Sequence, residues 1–157
     1  GTIAASGAQA NSFWRIREGL VEAQKSEGGG IKHDVSVPVS RVAAFIIRAS
    51  KAVTAHLPGI RPVAFGHVGD GNVHFNLLEP VGADRKQFLA RWDEFARIVH
   101  DIVADMDGSI SAEHGIGRLK VDELAHYRAA LELDLMRRVK DAIDPDGTMN
   151  PGKILAR

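Results

Sequence analysis

The sequence from Gly66 to Asn76, GHVGDGNVHFN, predicts two short strands joined by a tight turn. Asp70 and Gly71 form one of the strongest two-residue hairpin signals, because both central residues of a type I′ turn need a positive φ. With this turn, His67 lies directly opposite His74. Directly opposed residues point to the same face of a sheet, with Cβ atoms roughly 5 Å apart. Two imidazoles at that separation can share one metal ion.

Alternation along the strands divides the predicted hairpin into a face that carries its polar side chains and a second, apolar face. The first face holds Val63, Phe65, His67, His74, Asn76 and Leu78. The second face, which we expect in the core, holds Ala64, Gly66, Val68, Val73, Phe75 and Leu77. A register shift of one residue would separate the two histidines, so the metal site depends on the turn. The alternative is that both are surface histidines on a solvated sheet face.

Length and composition indicate one domain of ordinary globular type. The chain has 157 residues, of which 45% are hydrophobic and 25% are charged, and this is enough to enclose a core. The first ten residues contain no initiator Met and show little pattern. We expect residues 1–10 to be a linker or an expression remnant, and residues 11–157 to form the domain.

Charge and cysteine content exclude several classes of protein. Lys and Arg total 20, as do Asp and Glu, so no basic field indicates a nucleic-acid partner. The absence of Cys excludes a disulfide framework and a thiolate site, and it fits a reducing compartment. We therefore expect a cytoplasmic location, with peripheral membrane association of a longer protein as an alternative. No apolar run approaches the roughly 18 residues of a membrane-spanning helix, so we expect no transmembrane segment.

The remaining patterns predict an α+β fold. Apolar residues recur at helical spacing in four segments. Three of them start at Ser12, Ser40 and Asp84. The fourth runs from Leu124 to Ile143, either as one helix or as two pieces that meet around Tyr127 and Ala130. Alternation predicts a strand over residues 31–37, and residues 108–112 predict a short strand or an extended link. The order of these elements favours an antiparallel sheet of about four strands with helices packed mainly on one face.

Glu113 and His114 form a second polar cluster, flanked by Gly115 and Gly117. If the Glu113 carboxylate reaches the two hairpin histidines, the resulting donor set suits zinc, manganese or iron(II) and leaves positions open for a substrate. The alternative is that Glu113 belongs to the acidic first turn of a helix. The chain contains no G-x-G-x-x-G fingerprint and no G-x-S-x-G nucleophile elbow.

Three ordered stretches resemble the C-terminal domain of FAD-linked oxidases, the group that includes D-lactate dehydrogenase, the glycolate oxidase FAD subunit and D-2-hydroxyglutarate dehydrogenase. They run from Gly66 to His74, from Ser111 to Gly117 and from Asp144 to Lys153. Residues 14–18 and 32–38 match as well. The resemblance covers nearly the whole chain after about residue 11. It implies a cap domain of ferredoxin-like type whose N-terminal FAD-binding domain is absent from this chain, so that the chain alone has no turnover.

The resemblance also implies roles for individual residues. It makes His67, His74 and Glu113 the ligands of a divalent metal, zinc or manganese, and it makes His114 the base that takes the substrate hydroxyl proton. It implies that the 2-hydroxy acid is bound by Arg17, Lys32 and Asn76 together with His114, and that Asn150 approaches the flavin. A separate acceptor then reoxidises the FAD. In the hydroxyglutarate enzymes we would expect Thr at the position of Val21, so this residue departs from their pattern.

The function that the sequence favours is therefore substrate and metal binding in an FAD-dependent D-2-hydroxy-acid dehydrogenase. Taken by themselves, Arg17 and Lys32 are more often solvated charges than ligands. One alternative is a stand-alone metal- or ligand-binding module without redox activity. Another is an iron(II) oxygenase with two histidines and one carboxylate, which we disfavour because such sites lie in barrels with many strands.

Overall fold

A computed structural model describes residues 2–28 and 30–156. The helices of this part of the chain are α1 (Gly7–Ser26), α2 (Val42–His56), α3 (Arg85–Leu89), α4 (Trp92–Asp105), α5 (Val121–Tyr127) and α6 (Ala130–Ile143). The strands are β1 (Gly30–Ser36), β2 (Arg61–His67) and β3 (Asn72–Leu78), and a short 3-10 helix spans Val39–Arg41. This confirms the predicted α+β class.

The sheet is antiparallel and has three strands among the described residues, in the order β1-β3-β2. The fourth strand, expected at residues 108–112, is reduced to a single bridge between Ser109 and Ser36. Both backbone hydrogen bonds of this bridge form, at 3.0 and 2.8 Å. The bridge holds the chain that follows α4 against the end of β1, and so it sets where the next loop begins.

The hairpin between β2 and β3 has a longer turn than the sequence predicted. His67 pairs with Asn72, and His74 lies opposite Phe65, so the predicted pairing of His67 with His74 is wrong. Residues 68–71 form a four-residue loop in which Gly71 has a φ of 80°. The Asp70 carboxylate accepts a hydrogen bond from the Asn72 N–H at 3.0 Å, which stabilises this loop in place of a type I′ turn.

The two histidines nevertheless share a face, because His67 and His74 are diagonal neighbours across the two strands. Sliding the strands by two positions changes the partner of each residue and leaves the alternation of faces unchanged. Their rings lie 6.4 Å apart between centroids. The face assignment of the sequence is therefore confirmed for both histidines.

The core lies between the other face of the sheet and two helices, α2 and α4. Its fully buried residues include Ile31, Val35, Phe45, Val53, Phe75, Leu77, Phe95, Val99 and Val103. The expectation that Val68 and Ala64 belong to this core is wrong, since both are exposed. Val68 lies in the hairpin loop with 63% of its surface exposed, and Ala64 lies on the edge strand β2.

Helix boundaries differ from prediction at three places. The first helix begins at Gly7 with Ser6 as its cap, and Ser12 lies inside it, donating to the carbonyl of Ala8. The second follows the 3-10 helix and has no side-chain cap at Ser40. The helix predicted from Asp84 onwards is interrupted at residues 90–91 and forms α3 and α4. Among the described residues, no helix combines the length and hydrophobicity needed to cross a bilayer.

Candidate metal and substrate site

The Glu113 carboxylate lies between the two hairpin imidazoles. Its Oε1 is 3.0 Å from His67 Nδ1, and its Oε2 is 3.8 Å from His74 Nε2. His74 belongs to the central strand β3, His67 is the last residue of β2, and Glu113 comes from the loop that follows the Ser109 bridge. Glu113 therefore meets His74, 39 positions earlier in the sequence, and His67, 46 positions earlier, on the polar face of the sheet.

Asp34 is one of the site residues that sequence reasoning missed. It lies directly opposite His74 on β1, and only 2% of its side chain is exposed. Its Oδ2 accepts hydrogen bonds from the backbone N–H groups of Glu113 and His114, both at 2.8 Å, and its Oδ1 accepts one from Asn72 Nδ2 at 2.9 Å. In the sequence, alternation along β1 gave Asp34 a face, and its place in the matching stretch 32–38 gave it no role or partner.

The electrostatics of Asp34 favour its ionised form. Burial raises the pKa of its carboxyl group, but the two backbone N–H groups and the Asn72 amide outweigh burial and hold the pKa below its usual value. The site therefore contains a buried negative charge next to two imidazoles. His74 Nδ1 lies 3.8 Å from Asp34 Oδ1, and His114 Nδ1 lies 3.5 Å from Asp34 Oδ2.

His114 is placed beside the two hairpin histidines with its ring accessible. The ring stacks on that of His74, with centroids 6.0 Å apart and an interplanar angle of 29°. Its side chain is 66% exposed, while its Nδ1 faces the buried Asp34 carboxylate. The opposite nitrogen, Nε2, is then the one that can meet a ligand from solvent.

A cleft of about 580 Å³ opens beside these residues. Its polar lining includes Lys32, Asp34, His74, Asn76, His114, Arg118 and Lys120, and its apolar lining includes Val21, Phe65, Trp92, Ile116 and Leu119. Three of the four residues predicted to bind substrate, Lys32, Asn76 and His114, thus line one cleft with a predicted metal ligand. Lys32 and Asn76 are direct neighbours across β1 and β3.

Arg17, the fourth residue predicted to bind substrate, lies at the edge of this cleft. Its guanidinium carbon is 5.2 Å from the centroid of the Phe65 ring, which itself lines the cleft. The same helix supplies Gln24, whose Oε1 accepts a hydrogen bond from Asn76 Nδ2 at 2.7 Å. Helix α1 therefore covers part of the polar face of the sheet, opposite the core.

Lys120 was not identified from the sequence. Its Nζ donates to the carbonyl of Ile110 at 3.0 Å and to Ser111 Oγ at 3.3 Å, so it fastens the start of the loop that carries Glu113. Burial lowers its pKa, and the carboxylates of Asp34 and Glu123 partly offset that effect.

The donor set suits a divalent cation. Asp34, His74 and Glu113 each offer one ligand atom, and these atoms lie within 4.8 Å of one another. Imidazole nitrogens together with carboxylate oxygens are common ligands of zinc, manganese and iron(II). His67 contacts the second oxygen of Glu113 and lies at the rim of this group. The assignment of His67, His74 and Glu113 as ligands stays a prediction.

Asn150, predicted to approach the flavin, is not among the described residues that line the cleft. It belongs to the loop after α6 and lines a separate groove of about 1000 Å³ between that helix and the chain beyond it. Its φ is 46°, and its Oδ1 accepts a hydrogen bond from Lys153 Nζ at 3.2 Å. This groove adjoins the cleft where the Ile154 N–H donates to the Gly117 carbonyl at 2.8 Å, and the approach of Asn150 to the flavin stays a prediction.

Behind the site, two buried histidines lie on the apolar side of β1. His33 Nδ1 is 2.7 Å from the Phe75 carbonyl, and its Nε2 has no hydrogen-bond partner within residues 2–28 and 30–156. Burial lowers the pKa of His33 to about 4. The His100 ring packs edge-on against it at 5.8 Å, and His100 Nδ1 lies 2.9 Å from Glu123. Burial also lowers the pKa of His100.

Comparison with known proteins identifies the family. A model of the C-terminal domain of FAD-linked oxidases matches residues 1–154. The chain belongs to this family. The resemblance carried by the three sequence stretches is therefore confirmed.

Relatives of this FAD-linked oxidase domain are longer proteins. A D-2-hydroxyglutarate dehydrogenase of Stutzerimonas stutzeri (strain A1501) is 40% identical over 156 residues, which cover 99% of this chain and 33% of the relative. Another, from Xanthomonas citri pv. viticola, is 41% identical over 154 residues, covering 98% and 32%. A mitochondrial one from Arabidopsis thaliana is 36% identical, covering 99% and 26%. The chain spans about a third of the length of the bacterial relatives.

Proposed function

We propose that this domain binds the substrate and a divalent cation in an FAD-dependent D-2-hydroxy-acid dehydrogenase. The reaction oxidises a 2-hydroxy acid of the D-lactate, glycolate or D-2-hydroxyglutarate class to the 2-oxo acid. The observation that carries the proposal is the meeting of Glu113 with His67 and His74 beside a cleft lined by Lys32 and Asn76. The family membership supports it.

In this proposal, different residues of the chain bind the cation and transfer the proton. His67, His74 and Glu113 hold the cation, zinc or manganese, which when bound supplies Lewis acidity that lowers the pKa of the substrate hydroxyl. His114 takes the hydroxyl proton at Nε2. The Asp34 charge, 3.5 Å from the other ring nitrogen, favours the imidazolium that results.

Lys32, Asn76 and Arg17 recognise the substrate in this proposal. Lys32 and Asn76 bind the carboxylate next to the reacting carbon, and Arg17 reaches it from the edge of the cleft. Val21 also lines the cleft and offers no hydrogen bond. For this reason the substrate panel in the test below includes acids with and without a second carboxylate.

FAD would be held mainly by a separate N-terminal domain of the same protein, and it would supply the acceptor for the C2 hydrogen and its two electrons, a hydride, while His114 holds the hydroxyl proton. Helix α6 supports such a partner, because none of its residues is buried and it exposes Leu131, Leu135, Met136, Val139 and Ile143. Asn150 lines the groove beside this helix and approaches the flavin in this proposal. The ferredoxin-like form of the cap stays a prediction.

Metal binding is tested on the 157-residue chain by calorimetric titration with Zn²⁺ and Mn²⁺. We expect one site per chain and at least a tenfold loss of affinity in H74A and in E113Q. The control is H126A, which removes an exposed histidine that lies outside the cleft lining. Unchanged affinity in H74A and E113Q would refute the metal site.

The reaction is tested on the longer protein loaded with FAD, by bleaching of the flavin absorbance. The panel contains D-lactate, glycolate and D-2-hydroxyglutarate, with L-2-hydroxyglutarate as the mirror-image control. We expect H114A to lower kcat by about 10²–10⁴, the usual contribution of a general base, with little change in metal affinity. Metal binding without bleaching by any of the acids would favour the stand-alone binding module instead.

A further inference from the structure

Asp34 connects the sheet to the loop that carries Glu113 and His114. The described residues from 111 to 116 form neither helix nor strand, so the N–H groups of Glu113 and His114 have no partner from regular secondary structure. Both donate instead to one oxygen of Asp34, at 2.8 Å each. The backbone carbonyl of Asp34 also accepts a hydrogen bond from the Ala112 N–H at 3.2 Å.

The Asp34 carboxylate is itself held from the other side. Asn72, buried on β3, donates its Nδ2 to Asp34 Oδ1 at 2.9 Å. Three hydrogen bonds to a side chain that is 2% exposed leave it little freedom to rotate. A buried, hydrogen-bonded carboxylate of this kind fixes the path of the backbone that it binds.

We infer that Asp34 is a positioning residue. It pins the Glu113–His114 backbone to the sheet, so that Glu113 reaches the two hairpin imidazoles and His114 lies against His74. This inference rests on the proposed function for what the positioned residues do. Asp34 also has an oxygen near enough to His74 and Glu113 to bind the same cation. The test must therefore distinguish a positioning role of Asp34 from direct binding of the metal.

Two substitutions at Asp34 distinguish the positioning role from direct metal binding. In D34N, the new amide oxygen can accept both loop N–H groups, and its NH₂ can donate to Asn72 Oδ1. In the native chain this Asn72 oxygen is buried and has no partner among the residues that the structure describes. The Asn72 amide rotates to make this bond, so D34N retains the loop and loses the charge. D34A loses both.

The matched control is D144A. Asp144 is also a largely buried carboxylate that accepts two backbone N–H groups, those of Thr148 and Met149, both at 2.9 Å. It lies in the loop after α6 and outside the cleft lining. Its loss should loosen its own loop and leave the site unchanged.

The first measurement is amide hydrogen exchange of the metal-free chain by NMR. We expect the Glu113 and His114 amides to be protected in the native chain, D34N and D144A, and to exchange at least tenfold faster in D34A. The second is Zn²⁺ affinity by calorimetry, where D34A should lose at least tenfold more than D34N, the scale seen for residues that orient metal ligands.

Both the hydrogen exchange and the Zn²⁺ affinity have results that would overturn the inference. Equal loss of Zn²⁺ affinity in D34N and D34A would make Asp34 a ligand and overturn the inference, as would unchanged protection and affinity in D34A. If D34A fails to fold, two other results would still overturn the inference. One is that the Glu113 and His114 amides are unprotected in the native chain. The other is that D34N loses as much Zn²⁺ affinity as H74A. A native chain that binds no Zn²⁺ would refute the metal part of the proposed function, while the exchange data would still test the positioning.

Discussion

Acidification should destabilise this domain through His33, which is buried under the site. The folded chain lowers the pKa of His33 to about 4 from 6.5, because burial disfavours the charged ring. Above pH 6.5 the ring is neutral in both states and contributes no pH dependence. As pH falls below 6.5, the unfolded chain binds a proton that the folded chain does not, so the free energy of unfolding falls until the pH reaches about 4.

The size of this effect follows from the two pKa values. Each pKa unit corresponds to about 1.4 kcal/mol, so His33 should lower the free energy of unfolding by about 2.5 kcal/mol between roughly pH 7.5 and 4.5. Other groups facing the ring contribute separately. His100, whose pKa burial also lowers, packs against it, and the charge of Lys120 acts on it as well.

The assay compares the native chain with H33N by urea unfolding across this pH range, followed by circular dichroism. Asn keeps a donor for the Phe75 carbonyl, to which His33 Nδ1 is bonded, and it does not titrate. We expect H33N to be less stable at pH 7.5 and to lose about 2.5 kcal/mol less on acidification. H126N, which removes an exposed histidine, should follow the native curve. Parallel curves for the native chain and H33N would refute the reasoning.

Two further predictions concern the hairpin and the core. An ideal Cβ at Gly66 would lie 2.3 Å from the carbonyl oxygen of Asn72, so G66A should cost about 1–3 kcal/mol and lower Tm by several degrees, measured by thermal denaturation. G69A is the control, because nothing lies within 4 Å of that Cβ, and equal effects of the two would contradict the clash. F75A should lose about 3–5 kcal/mol in urea unfolding, since Phe75 is fully buried between the sheet and α2. V139A, at a residue that is 60% exposed, should stay within about 0.5 kcal/mol, and a small loss in F75A would show that the core tolerates a cavity.

Local patterns in the sequence predicted the helical segments, the three strands of the sheet and the shared face of the two hairpin histidines. Alternation assigned His67 and His74 to one face, and this held although the turn was longer than predicted. The pleat repeats every two residues, so a shift of two positions preserves every face. The helix start predicted at Asp84 is confirmed, and the structure shows the cause: the Asp84 side chain accepts a hydrogen bond from the Gln87 N–H, only three residues away.

The partners across the sheet depended on interactions that local patterns do not encode. The hairpin register followed from the Asp70 side chain and from a hydrogen bond between the Val37 N–H and the Gly71 carbonyl, which joins segments far apart in sequence. The predicted fourth strand made only the bridge between Ser109 and Ser36 among the described residues, and beyond it the Ala112 N–H bonds to the Asp34 carbonyl without continuing the ladder.

By itself, the sequence determined that two histidines and an Asn share a polar face, and that Glu113 and His114 follow a short extended segment. These are properties of residues and their immediate neighbours. Only the tertiary structure decided that Asp34 holds the Glu113–His114 loop, because the bonded groups are 79 and 80 residues apart. In the sequence Asp34 alternates like any polar strand residue, and its burial results from the loop and Asn72 packing over it.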